Sequence, residues 1–155
     1  MTRVSAGVRC CWLGRLLDGE DILVSRLEEN RSLYLAYLKC CNEHDFDAMT
    51  SFYTPTIKVN DAPMDPAAVA AQFAPIVFAF PDWHWEMRHI VVDDDYIAVH
   101  FTVTGTHRGV FGGIAATDRR VSISEFTLYR VEGGKFAEVW DLADMGAVLA
   151  QIGRG

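Results

Sequence analysis

The sequence predicts an α+β fold, with helices first and a long-stranded, mostly antiparallel meander last. Three observations carry this reading. Helical apolar spacing dominates the segment before Pro81, and strand-type alternation runs through four segments after it, ahead of a short final helix. Turn signals separate those segments: Asp93-Asp94-Asp95, Gly109 with Gly112-Gly113, and Gly133-Gly134. Helices that precede such a meander cover one face of a strongly curved sheet, and incomplete cover leaves a pocket on the concave side.

Taken in order, residues 1–24 read as an N-terminal extension ahead of one domain over 25–155. Ser25 and Glu28 have capping-box spacing, and Leu23, Leu27, Tyr34, Leu38 and Cys41 recur at helical intervals, so a helix is expected from Ser25 to near Asn42. A short second helix starts at an Asp45 cap and ends before Pro55, and "TIKVND" follows as a short strand. Asp65-Pro66 is a cap followed by a first-turn proline, opening an apolar helix bent or broken at Pro75. Strands are expected at 83–92, 96–107, 120–131 and 135–142, then a final helix capped by Asp144 and stopped by Gly153.

Composition limits the function classes. The chain has 155 residues, half of them hydrophobic, enough for one domain with a real core. Twenty-one acidic against fourteen basic residues give a charge of -7, which disfavours nucleic acid and anionic membranes as partners. The cysteines form two adjacent pairs, Cys10-Cys11 and Cys40-Cys41, a spacing suited to neither a zinc knuckle nor a disulfide framework. Free thiols and a cytoplasmic location are expected. No stretch reaches the length of a membrane span or an uninterrupted signal peptide. Metal-binding spacings, a phosphate loop and a nucleophile elbow are missing too, so no cofactor and no metal are expected.

Strand parity selects the polar residues that enter the pocket. In 96–107, Ile97, Val99, Phe101 and Val103 share one face, and His107 continues it. In 120–131 the apolar phase slips after Val121 and Ile123, as a bulge near Ser124-Glu125 would make it; on the earlier phase Glu125 points inward, and otherwise it faces water. In 135–142, Phe136 and Trp140 oppose Ala137, Val139 and Asp141; Asp141 enters the pocket if Ala137 and Val139 line it. Trp83, Trp85, Met87 and His89 share a face of the first long strand, read as packing. Carboxyl and imidazole groups in an apolar pocket are suited to proton exchange near neutral pH.

The segment from Phe80 to Met145 resembles the SnoaL-like polyketide cyclase and ester cyclase family of the NTF2-like superfamily. The resemblance rests on F-P-D at 80–82, G-T-H-x-G at 105–109, T-x-R-x-V at 117–121, S-E-x-x-x-Y-R at 124–130, G-K at 134–135 and W-D at 140–141. It implies a cone-shaped barrel, a homodimer, and cofactor-free acid–base catalysis on a hydrophobic small molecule. Asp141 matches the family's acid/base aspartate, His107 the G-T-H-x-G histidine, and Glu125 the glutamate used by related members; Asn60 matches a pocket asparagine. The expected catalytic residues are thus Asp141, Glu125 and His107, with the choice of main acid/base left open. Asn60 and Tyr53 are expected to hydrogen-bond substrate, and Trp85, Phe73, Phe78 and Phe101 to wall it. The leading reading is a cyclase or isomerase of a polyketide- or terpenoid-type intermediate. An epoxide hydrolase-like or dehydratase enzyme, and a non-catalytic binding or dimerisation module, are the alternatives.

Overall fold

A computed structural model describes residues 19–153. Among these residues, six strands form one sheet in the order β2-β1-β6-β5-β4-β3, with five helices around it. The long strands are β3 (His84–Val92), β4 (Tyr96–Thr106), β5 (Arg120–Glu132) and β6 (Lys135–Ala143), each antiparallel to the next. β1 (Tyr53–Val59) runs parallel to β6 and pairs with the three-residue β2 (Ala62–Met64), so the sheet is mixed. The α+β class and the four long strands are as expected. The strongly curved, cone-shaped barrel is not: the sheet is open and not strongly curled, with β2 and β3 at its two edges. Closure needs two edges that can pair along their length. β2 offers three residues, one of them Pro63 without an N–H, which makes it an edge and not a seam.

Helix α1 (Gly19–Asn42) crosses the inner face of the sheet. It begins six residues before the expected start, because Ser25 does not cap: its hydroxyl donates to Glu29 inside the helix. Its buried stripe is Asn30, Tyr34, Tyr37 and Cys41, while Leu23 is exposed. Of the expected extension, residues 19–24 belong to α1, and residues 1–18, with Cys10 and Cys11, lie outside the described residues. The remaining caps form as their sequences indicate. Asp45 accepts from the Ala48 N–H at the start of α2 (Phe46–Thr50), and Asp65 from Ala67 at α3 (Pro66–Ala71). Asp144 accepts from Ala147 at α5 (Met145–Gly153). The third helix is broken near Pro75 as expected: α3 ends at Ala71, and α4 (Ala74–Ala79) starts with Pro75 in its first turn.

The core lies between α1 and the sheet. Tyr34, Tyr37, Tyr129 and Phe136 pack ring against ring at centroid distances of 4.8–6.2 Å. Each such aromatic contributes about 1.5–3 kcal/mol by leaving water. The F-P-D and G-T-H-x-G segments meet here. The Asp82 carboxylate accepts from the Thr106 N–H at 2.6 Å and from the Thr106 hydroxyl at 2.7 Å. Gly105 lies under Trp83, where a Cβ would come within 2.8 Å of the indole.

Two bulges set the parity of the site. The β5–β6 register steps from Arg130↔Glu138 to Val131↔Phe136, leaving Ala137 unopposed. Strict alternation would put Phe136 and Asp141 on opposite faces; the extra residue lets Phe136 enter the core and still brings Asp141, which stays solvent-exposed, to the lining of the cavity. The bulge expected near Ser124-Glu125 does not form, since β4–β5 pairing runs unbroken through Phe101↔Glu125. The apparent phase slip has another cause: Phe126 and Leu128 are apolar residues on the outer face. In β3, a bulge at Arg88 turns His89 to the outer face beside His100, away from Trp85.

Candidate functional site

Between the inner face of the sheet and helices α1, α3 and α4 lies a cavity of about 190 Å³. Alternation along β5 delivers Glu125, Thr127 and Tyr129 to it without interruption, and the Ala137 bulge delivers Val139, Asp141 and Ala143 from β6. Trp85 enters from β3 and Phe101 from β4. Helix α1 supplies Tyr34, Tyr37 and Cys41, and Phe73 closes the wall beside Trp85, the two rings edge to face at 5.8 Å. Two larger depressions, of about 640 and 460 Å³, are more open. One is a charged groove beside the first turns of α1, and the other is the outer face of the sheet.

Glu125 and Asp141 share the cavity and one hydroxyl. Thr127 Oγ1 lies 3.1 Å from Asp141 Oδ1 and 3.4 Å from Glu125 Oε1, and its single proton serves one carboxyl at a time. Trp85 Nε1 donates to Glu125 Oε2 at 3.2 Å. Trp85 is itself held by Asn42 of α1, which both donates to and accepts from its backbone. Burial pushes the Glu125 carboxyl up to about 8, and the neighbouring Asp141 charge adds to the rise, against the Trp85 and Thr127 hydrogen bonds. Asp141 is also raised by burial, but hydrogen bonds from Thr127 and Glu125 oppose that. Of the two, Glu125 is the group that holds its proton at neutral pH, and the hydrogen bonds that oppose the rise make Asp141 the readier to ionise.

Around the carboxyls stands a set of phenols. Tyr37 and Tyr53 share a hydrogen bond of 2.8 Å between hydroxyls, and burial raises Tyr34, Tyr37, Tyr53 and Tyr129, keeping each a neutral donor. Burial likewise pushes the Cys41 thiol up to about 12, so it stays protonated.

The other residues selected from sequence fall into two groups. Tyr53, Trp85, Phe73 and Phe101 line the cavity. Phe78, Asn60 and His107 do not. Phe78 is 70% exposed on α4, whose inward residues are Ile76, Ala79 and the following Phe80. Asn60 occupies a left-handed turn at φ 47° between β1 and β2, and its side-chain oxygen accepts from the Asp141 N–H at 2.9 Å, bracing β6 where the aspartate emerges. His107 is fully buried but stands apart from the carboxyls, behind Phe80, with Nδ1 3.0 Å from Thr117 Oγ1 and Nε2 without a partner among the described residues. Sequence reading missed Thr127, Tyr34, Tyr37, Tyr129 and Cys41. Carrying the Val121/Ile123/Glu125 phase forward would have found Thr127 and Tyr129.

Among the described residues, no three His, Cys, Asp or Glu side chains stand together as a metal-binding group, and no helix is long and apolar enough to cross a membrane. A family model described as SnoaL-like polyketide cyclase matches residues 31–152. No curated protein matches the sequence significantly. Similar solved structures include AclR from Streptomyces galilaeus, a proposed hydroxylase, at 29% identity and TM-score 0.74, covering 82% of this chain and 97% of its own. A SnoaL-like polyketide cyclase from Agrobacterium tumefaciens is 25% identical, with TM-score 0.68 and coverage of 79% and 96%. IdmH from Streptomyces antibioticus, a proposed polyketide cyclase, is 21% identical, with TM-score 0.73 and coverage of 81% and 99%, a likeness of fold.

Proposed function

Since the chain belongs to the SnoaL-like polyketide cyclase family of the NTF2-like superfamily, we propose that it is a cofactor-independent cyclase or isomerase of a polyketide- or terpenoid-type intermediate. The supporting observation is the unequal carboxyl pair bridged by Thr127 in an aromatic cavity. Asp141, as carboxylate, takes a proton from a carbon beside a carbonyl, and the C–H electron pair moves into the enolate. Glu125, as acid, donates its proton to the oxygen that gains charge. In isomerisation Asp141 returns its proton at another carbon while Glu125 takes its own back from the oxygen, so the carbonyl re-forms and both carboxyls are restored. In ring closure the enolate carbon attacks a second carbonyl, a C–C bond forms as its π bond breaks, and the resulting oxygen takes the proton. Ring closure leaves the proton on Asp141 and Glu125 ionised, and passage of that proton from one carboxyl to the other restores the pair; neither route needs an external oxidant or co-reactant. The phenols supply further neutral donors to the oxyanion. His107 has no part in this scheme: it stands behind Phe80, away from the cavity lining.

We also read the protein as a homodimer through the outer face of the sheet. Val91, Phe126 and Leu142 are 66%, 54% and 73% exposed there, and Leu128 lies beside Phe126. A contiguous apolar face of this kind is a recognised mark of an association surface.

The catalytic proposal is tested with Asp141→Asn and Glu125→Gln, each checked for native circular dichroism, using α-proton exchange of a cyclic ketone in deuterated buffer. Asp141→Asn is expected to lose about 10²–10⁴-fold in exchange rate, the usual contribution of a positioned base. Undiminished exchange in both variants would sink the proposal.

A further inference from the structure

From the size and lining of the cavity we infer the class of substrate: an uncharged carbonyl compound whose reacting part is one ring or two fused rings, not a tetracyclic skeleton and not a carboxylate. The inference rests on the acid–base reading of this same cavity. At about 190 Å³ the space is only modestly larger than an apolar cavity of about 150 Å³ that holds benzene, and it falls below the roughly 300–1,000 Å³ of sites for drug-sized ligands. Its width is fixed by rings that brace one another. Trp83 and Trp85 meet edge to face at 6.2 Å, and Phe73 lies against Trp85 on one side and stacks on Phe46 at 5.0 Å on the other. Tyr34 and Phe101 bound the space from α1 and β4, and both are almost fully buried. A wall of interlocked aromatics does not yield by a rotamer change, so its volume selects among ligands.

Charge selects as well. Among the described residues the lining contains no Lys, Arg or His, and its two carboxyl groups already share one hydroxyl. A substrate carboxylate would enter beside two carboxyl groups with no counter-ion in the lining, and an unpaired buried anion is strongly disfavoured. An ammonium would hold both carboxyls ionised and remove the acid on which the scheme depends.

The test reads binding separately from catalysis, through quenching of Trp83 and Trp85 fluorescence at pH 7. The probes are 2-tetralone (a neutral fused bicyclic ketone), 2-naphthoate (its anionic counterpart in size), 2-aminotetralin (a cation) and naphthacenequinone (a neutral tetracycle). Saturable quenching by 2-tetralone, with at least tenfold weaker binding of the other three, is the expected result. Equal or tighter binding of any of those three, or no saturable binding of 2-tetralone, would overturn the inference. Phe73→Ala, provided it still unfolds cooperatively, should bring naphthacenequinone to within tenfold of 2-tetralone; an unchanged preference counts against the wall as the selector. Proton exchange on 2-tetralone separates the two proposals. Binding without accelerated exchange defeats the acid–base reading and leaves the size class standing, whereas accelerated exchange with indiscriminate binding does the reverse.

Discussion

Replacing Glu125 with glutamine removes a proton-binding site while keeping the shape that fills the end of the cavity. In the wild type the folded state holds this proton up to about pH 8, whereas an unfolded glutamic acid releases it near 4.5. The sign follows from linkage. With the folded value raised, the stabilisation from the bound proton is complete below 4.5 and is lost as pH rises through that window to about 8. Each unit of difference is worth about 1.4 kcal/mol, so wild-type stability should fall by about 3–4 kcal/mol between pH 5 and pH 8 from this group alone. The substituted amide is neutral throughout, can accept from Trp85 Nε1 and can donate to Asp141. Urea unfolding at half-unit steps of pH provides the assay. Variant and wild type should be close in stability near pH 5 and diverge in favour of the variant toward pH 8. Parallel profiles for the two proteins would refute the claim that folding raises the affinity of Glu125 for its proton.

Two further predictions rest on neighbouring contacts. Trp85→Phe removes the indole N–H that steadies ionised Glu125, so the alkaline limb of the activity profile should move to higher pH, at a stability cost of about 1–3 kcal/mol from the trimmed ring; a pH–rate series for α-proton exchange checks it, and an unmoved limb would remove Trp85 from the tuning of the acid. Phe126→Glu places a charge in the exposed apolar outer face and should convert a dimer to a monomer in sedimentation velocity, with native circular dichroism retained. A wild-type monomer, or an unaffected dimer, would remove that face as the association surface.

Local signals in the chain correspond to local physics in the fold. Asp45, Asp65 and Asp144 cap helices because a side-chain oxygen and a nearby N–H need nothing distant to meet. The helix break near Pro75 has an equally local reason. Ser25 shows the limit of such signals: with helix continuing upstream, its hydroxyl serves Glu29, and the capping spacing goes unused. Phe78 and Phe126 show another limit. An aromatic in the right segment reads as core, yet one lies on the outer side of a short helix and the other on the outer face of the sheet.

The α+β order, the four long strands, the helix caps, and the presence of two carboxylates and a set of aromatics on strands that could share a cavity are all legible in the chain alone. Whether the carboxylates met was settled in three dimensions. Asp141 turns inward because Ala137 is left unopposed against Arg130 and Val131, and Glu125 turns inward because β5 pairs with β4 without a bulge. A bulge is a property of a pair of strands, since one residue is extra only relative to a partner, so parity within a single strand cannot reveal it. Openness of the sheet is likewise a matter of its edges: closure would require β2 and β3 to meet, and three residues with a proline among them offer β3 no ladder to close on.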